Sequence, residues 1–243
     1  MKKILSWDCA NKSLAWSYII IDTSIFKDFH DIKREFENIE EEFKIINQNF
    51  EFEKYSELIY KIKLIYNKID NFIKVLFYGV VDLLDGKPLK DFNEVERTKI
   101  LYKWLESSEV AKNKLLPDTD ILIEHQPSRI GAKTNNKSTM IGHQLLFYYA
   151  DYNLFLVNPK LKNNITIGGY EYSEILIQEI KRKKTKSDAS YSARKKHSVL
   201  CFCYLMDVMN IPIVSIKKKN IDDLADATMQ VFPWILKIQG LGV

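Results

Sequence analysis

The chain reads as an α/β fold whose sheet mixes antiparallel and parallel strands, and three observations predict it. Two apolar runs rich in β-branched and aromatic residues, 3–8 and 14–21, flank the turn Asn11-Lys12-Ser13. Runs joined so tightly pair as an antiparallel hairpin. From residue 74 onward, strand-like runs alternate with stretches of helical period, the layout of helices packed on a sheet. Two strand-like runs also end on an acid: Ile4-Leu5-Ser6-Trp7 on Asp8, and Ile121-Leu122-Ile123 on Glu124.

The elements follow in order. After the hairpin the period changes: Phe26, Phe29, Ile32, Phe36, Ile39 and Phe43 recur at steps of three and four, and Tyr55, Leu58, Ile59, Ile62, Ile65 and Ile69 do so again. This spacing predicts a helical pair broken near Asn47-Gln48-Asn49. Without a flexible linker, residues 24–73 read as a helical insertion within a single domain spanning 1–243. A third strand is expected over 74–84, before the turn Asp85-Gly86-Lys87-Pro88. A helix from Asn93 to Lys112, the strand ending at Glu124, a helix over 138–149 and a strand over 153–157 come next. A long loop or partly helical stretch then leads to a helix at 190–209, a strand at 211–216 and a last helix over 222–236.

Composition narrows the classes. A 46% hydrophobic and 28% charged chain is an ordinary globular protein able to bury a core. Its apolar runs are too short to span a bilayer, and Met1 to Asp8 lacks a signal-length apolar stretch, so an intracellular protein, in cytoplasm or nucleus, is expected. Three cysteines, Cys9, Cys201 and Cys203, have no metal-ligand spacing and read as core thiols in a reducing compartment. The net charge of +4 is unevenly spread: residues 28–53 are acidic, whereas 181–196 carry eight lysines and arginines against Asp188 alone. Such a cluster is either a solvated loop or the footprint of a phosphate-binding face.

The chemistry lies in four carboxylates. Asp223 and Asp226, three apart at a helix start, project from one face. Capping accounts for Asp222 and leaves Asp223 open to either role, but Asp226 stands among Leu224, Ala225 and Ala227, where a lone charge is costly. Glu124 follows three aliphatic strand residues, at the carboxyl end where parallel sheets place working groups. With Asp8 they form a set of hard oxygen ligands suited to Mg²⁺, with Mn²⁺ as a substitute. The histidines fit less well. His125 falls on the opposite strand face, His143 reads as a polar helix residue, and His197 stands beside Arg194-Lys195-Lys196 where it could touch phosphate.

These motifs together resemble the RuvC-type Holliday junction resolvases of the RNase H-like superfamily, in their poxvirus and iridovirus branch. The resemblance runs through Asp8-Cys9-Ala10-Asn11-Lys12-Ser13-Leu14-Ala15, Ile123-Glu124-His125-Gln126, Pro159-Lys160-Leu161-Lys162 and Lys218-Lys219-Asn220-Ile221-Asp222-Asp223-Leu224-Ala225-Asp226. Ala10 stands where that branch has glycine, and Asn220-Ile221 separates the lysines from the acidic pair. The resemblance implies an RNase H-like mixed sheet with three antiparallel strands first and parallel strands after. It also implies a homodimer and two-metal hydrolysis of branched double-stranded DNA such as a four-way junction, with Asp8, Glu124, Asp223 and Asp226 as catalytic metal ligands. Lys12, Arg129, Lys133, Lys137, Lys160, Lys162, Lys183, Lys184, Arg194, Lys195 and Lys219 are the candidates for contact with DNA. Nuclease action on RNA–DNA hybrids or flaps, or non-catalytic nucleic-acid binding, are the alternatives at this point.

Overall fold

The computed structural model describes residues 1–10, 13–24, 73–108, 110, 118–125, 136–165, 167–183, 185–213 and 220–238. Apart from its two end residues, the helical insertion expected over 24–73 lies outside them. β1 (Lys2–Cys9), β2 (Ser13–Ile21) and β3 (Ile73–Asp82) are followed by α1 (Glu94–Ser107), β4 (Thr119–Glu124), α2 (Asn136–Tyr148) and β5 (Asn153–Val157). A 3₁₀ turn at Pro159–Asn164 leads to α3 (Tyr172–Arg182), α4 (Lys186–Val208), α5 (Ile221–Met229) and α6 (Val231–Ile238).

The five strands lie in the order β3-β2-β1-β4-β5. β1 pairs antiparallel with β2 and β2 with β3, whereas β1 with β4 and β4 with β5 are parallel. The mixed sheet expected from the sequence is therefore the sheet observed. Because side chains alternate across a strand, each central strand serves two cores. Leu5, Trp7, Ile121 and Ile123 face α1 and α2, where they pack on Leu101, Leu105, Ile141 and Leu145. Ile4 and Leu122 face the other side, against Phe202, Leu205, Leu224 and Phe232 of α4, α5 and α6. The first core is anchored by aromatics: Trp7 meets Trp16, Trp104 and Tyr149 at ring separations of 6.0, 6.3 and 6.0 Å.

Several boundaries depart from expectation, each for a local reason. α1 stops at Ser107, since Ser108 turns to extended backbone; its start carries a capping box between Asn93 and Glu96. The stretch read as a long loop or partly helical contains the 3₁₀ turn and α3, whose acid start and Lys181-Arg182 end complement the helix dipole. Residues 211–213 leave α4 without pairing to a described strand, and 214–219 lie outside the described residues. The last helix is two, split at Gln230. Pro233 lacks an N–H and is tolerated only in a first turn, so a new helix begins at Val231.

Among the described residues, no helix is long and apolar enough to cross a membrane. Cys9 and Cys201 are buried, as expected of core thiols, and Cys203 is half-buried.

Candidate active site

The period of two that builds the cores also builds the site. Asp8 shares the face of Ile4 and Ser6, and Glu124 shares the face of Leu122. Both carboxylates thus leave the strand ends towards α5. The parallel register ends at Trp7 opposite Ile123, so Asp8 and Glu124 follow at the next position of each strand. α5 lies across these ends and presents Asp226 on its buried side. One oxygen from each of Asp8, Glu124 and Asp226 lies within 4.8 Å of the others. The polypeptide's beginning, middle and end meet there.

Gln230 holds this juxtaposition. One turn beyond Asp226 and fully buried, its Nε2 donates to Ser6 Oγ at 2.6 Å and to the Trp7 carbonyl at 2.9 Å. The residue before Asp8 is thereby tied to the helix that carries Asp226. Asp223 sits to one side of the three: its Oδ2 accepts from Ser13 Oγ at 3.2 Å, and it is about a fifth exposed.

Two ammonium groups lie among the carboxylates. Lys162, from the 3₁₀ turn after β5, is 3.1 Å from Glu124 and 2.9 Å from Asp226. Lys195, from α4, is 2.8 Å from Asp226, 3.5 Å from Asp222 and 3.7 Å from Asp223. Burial alone would raise the Asp226 carboxyl, but Lys162 and Lys195 hold it below the usual carboxylate range. At Asp8 the pull of the same two ammonium groups is outweighed. Burial, with Glu124 and Asp226 beside it, pushes its carboxyl well above the usual value. Burial raises Asp223 as well, against the pull of Lys195.

This imbalance tests the fit to a metal. Asp8, Glu124, Asp223 and Asp226 carry four negative charges as carboxylates, and Lys162 and Lys195 return two. Asp8, pushed up by burial and by Glu124 and Asp226, is the member whose ionised form most needs a further counter-charge. Hard oxygen donors left in excess of their counter-charges suit a divalent cation, and the residues fit one.

The candidates for DNA contact separate into groups. Lys162, 5% exposed, and Lys195 are placed inside the acidic cluster. Lys160 and Lys183 are exposed and Arg194 is half-buried. Lys12, Arg129, Lys133, Lys184 and Lys219 lie outside the described residues, as does the side chain of Lys137. His197 does not meet solvent: it is 1% exposed, with Nε2 3.1 Å from the Tyr170 carbonyl. His125 and His143 are exposed. Sequence reasoning passed over Ser13 and Gln230. The four-residue step from Asp226 to Gln230, one helical turn on the same face, was the available signal.

Residues 158–238 match the family described as Poxvirus A22 protein. No curated protein gives a match. Among solved structures, Thermus thermophilus RuvC aligns over 97% of this chain and 96% of its own, with 11% identity and a TM-score of 0.47. The same protein in complex with Holliday junction substrate aligns over the same shares, with 7% identity and a TM-score of 0.47. The fowlpox virus resolvase in complex with substrate Holliday junction DNA aligns over 97% and 98%, with 15% identity and a TM-score of 0.40. The stretch that supplies Lys162, Lys195, Asp223 and Asp226 thus matches the Poxvirus A22 protein family.

Proposed function

We propose that this protein is a structure-selective DNA endonuclease that resolves four-way junctions by phosphodiester hydrolysis. The observation that carries the reading is the meeting of Asp8, Glu124 and Asp226 in one buried cluster at the strand ends. The related stretch 158–238 supports it, since that family is the poxvirus Holliday junction resolvase. Asp8, Glu124 and Asp226 would hold Mg²⁺ or Mn²⁺, with Asp223 beside them. When bound, such ions activate water and neutralise charge developing on the phosphate and leaving oxygen.

The chain's own residues set the conditions for that chemistry. Gln230 keeps Asp8 and Asp226 in register, and Ser13 orients Asp223. Lys162 and Lys195 keep Asp226 ionised and lower the negative potential that a phosphodiester meets on approach. Lys12, Arg129, Lys133, Lys137, Lys160, Lys183, Lys184, Arg194 and Lys219 would position the duplex arms through phosphate contacts, giving affinity that falls steeply with salt. A homodimer would present two such sites to the two-fold symmetry of a junction. The chain works as a single domain, with 24–73 as an insertion in it.

The test is a synthetic four-way junction incubated with the protein and Mg²⁺. Symmetric paired nicks are expected from the wild type. Asp226→Asn and Glu124→Gln lower the single-turnover rate by about a thousand-fold or more while binding persists, as loss of several kcal/mol of charge stabilisation requires. Cutting confined to RNA–DNA hybrids or flaps, or near wild-type rates in either variant, would overturn the reading.

A further inference from the structure

Beside the acidic cluster, and sharing Lys195 and Asp222 with its margin, an open groove of about 590 Å³ lies between α3 and α4. Two cations at the end of α3 line it, Arg182 and Lys183, both exposed. Arg182 is anchored at 3.1 Å to Glu179, whose carboxylate also accepts from Ser192 Oγ at 2.8 Å. The guanidinium is thus held by a buried partner while its other donors remain available to the groove. From α4 comes Tyr191, 58% exposed, an aromatic side chain that the core does not use.

An aromatic face and two cations along one groove answer to a nucleotide better than to a duplex backbone. Backbone phosphates need cations alone, whereas an unstacked base needs a π-face and a recess. The other lining groups agree. Asp188 and Asp222 would repel a second phosphate but can accept from the N–H groups of a base edge. Lys195 connects the two sites, since its ammonium contacts Asp226 and its side chain is among those that line the groove. We propose that this groove takes one unpaired nucleotide of the strand being cut, its base on Tyr191 and its phosphate on Arg182 and Lys183. The proposal rests on the nuclease reading for the identity of the strand. It adds that the substrate is engaged with one base out of its stack next to the cutting site. Substrates already unpaired at a branch point are favoured for that reason, because less stacking is lost.

The experiment places 2-aminopurine at successive positions around the branch point of a four-way junction, and in a single-stranded oligonucleotide of the same sequence. Fluorescence is recorded on titration with the wild type, Tyr191→Ala and Tyr191→Phe. Tyr191 is exposed, so both variants are expected to fold, with unchanged thermal melting as the control. The wild type should change the emission at one or two positions only. Tyr191→Ala should abolish that change and weaken binding about ten-fold, the scale of one lost base–aromatic stack. Tyr191→Phe should behave as wild type, and an abasic site at the responsive position should weaken wild-type binding but leave Tyr191→Ala unaffected. Identical titrations for wild type and Tyr191→Ala at every position would overturn the proposal. The single-stranded arm separates the two claims: a Tyr191-dependent signal there, without junction cleavage, keeps the groove and removes the nuclease reading.

Discussion

Asp226 holds two ammonium groups at 2.8 and 2.9 Å, and this pairing sets what a single substitution should do. Removing Lys162 leaves Glu124 and Asp226 facing each other and Asp8 with one counter-charge fewer. Breaking a buried pair from one side costs about 3–5 kcal/mol, because the remaining charge stays desolvated. Lys162→Met should therefore lower the urea midpoint in EDTA, and Mg²⁺ should restore more stability to the variant than it adds to the wild type. Equal gains from Mg²⁺ in both would show that the cation does not bind among these carboxylates. His197 offers an independent check. Burial lowers its pKa below the ordinary 6.5, against hydrogen bonds that favour the charged ring. The neutral ring's contribution is complete above the unfolded value, near 6.5, and is lost as pH falls through the lower folded value. Stability should decline below pH 6.5 more steeply in wild type than in His197→Gln, compared by urea unfolding at each pH. Parallel curves would contradict the burial argument.

Elements explain why some of this was legible in the chain and some was not. The alternation through Ile4-Leu5-Ser6-Trp7-Asp8 and Ile121-Leu122-Ile123-Glu124 is strong, and it places both acids on one face at adjacent strand ends. Asp223 and Asp226 were readable from helical spacing, yet only Asp226 joins Asp8 and Glu124 within 4.8 Å. A helix start predicts which side faces inwards but not how far round it the strand ends reach. Lys162 and Lys195 drew notice for their charge and surroundings, but spacing does not tell a phosphate contact from an ion pair inside a cluster. Their partners are tens of residues away in sequence and meet only when β5, α4 and α5 pack. The signal for the division of the last helix is Pro233, which the apolar period around it masks. That division leaves Gln230 at the junction, bonded to Ser6 and Trp7. Gln230→Ala removes two hydrogen bonds and leaves a buried carbonyl without this donor, a cost of about 1–3 kcal/mol. The expected result is a lower unfolding midpoint together with slower junction cleavage. Loss of stability with full cleavage activity would show that the link does not position the carboxylates.

At the scale of the molecule, the sheet order β3-β2-β1-β4-β5 puts the N-terminal strand in the middle. A strand there has neighbours on both sides and helices on both faces, so its end is held more firmly than an edge strand's end. Asp8 inherits that rigidity, and Glu124 shares it through the parallel pairing with β1. The two cores divide the work: one fixes Trp7 against α1 and α2, while the other carries α4 and α5 with Lys195 and Asp226 to the same rim. A buried cluster with more carboxylates than ammonium groups is a poor stabiliser by itself and is accounted for by what it can bind. The most direct measurement is an anomalous difference map from crystals of the protein soaked in Mn²⁺. A peak within about 2–2.4 Å of oxygens from Asp8, Glu124 and Asp226 is the predicted result, the range of hard-cation coordination. Manganese found elsewhere, with those three carboxylates held by Lys162 and Lys195 alone, would contradict it.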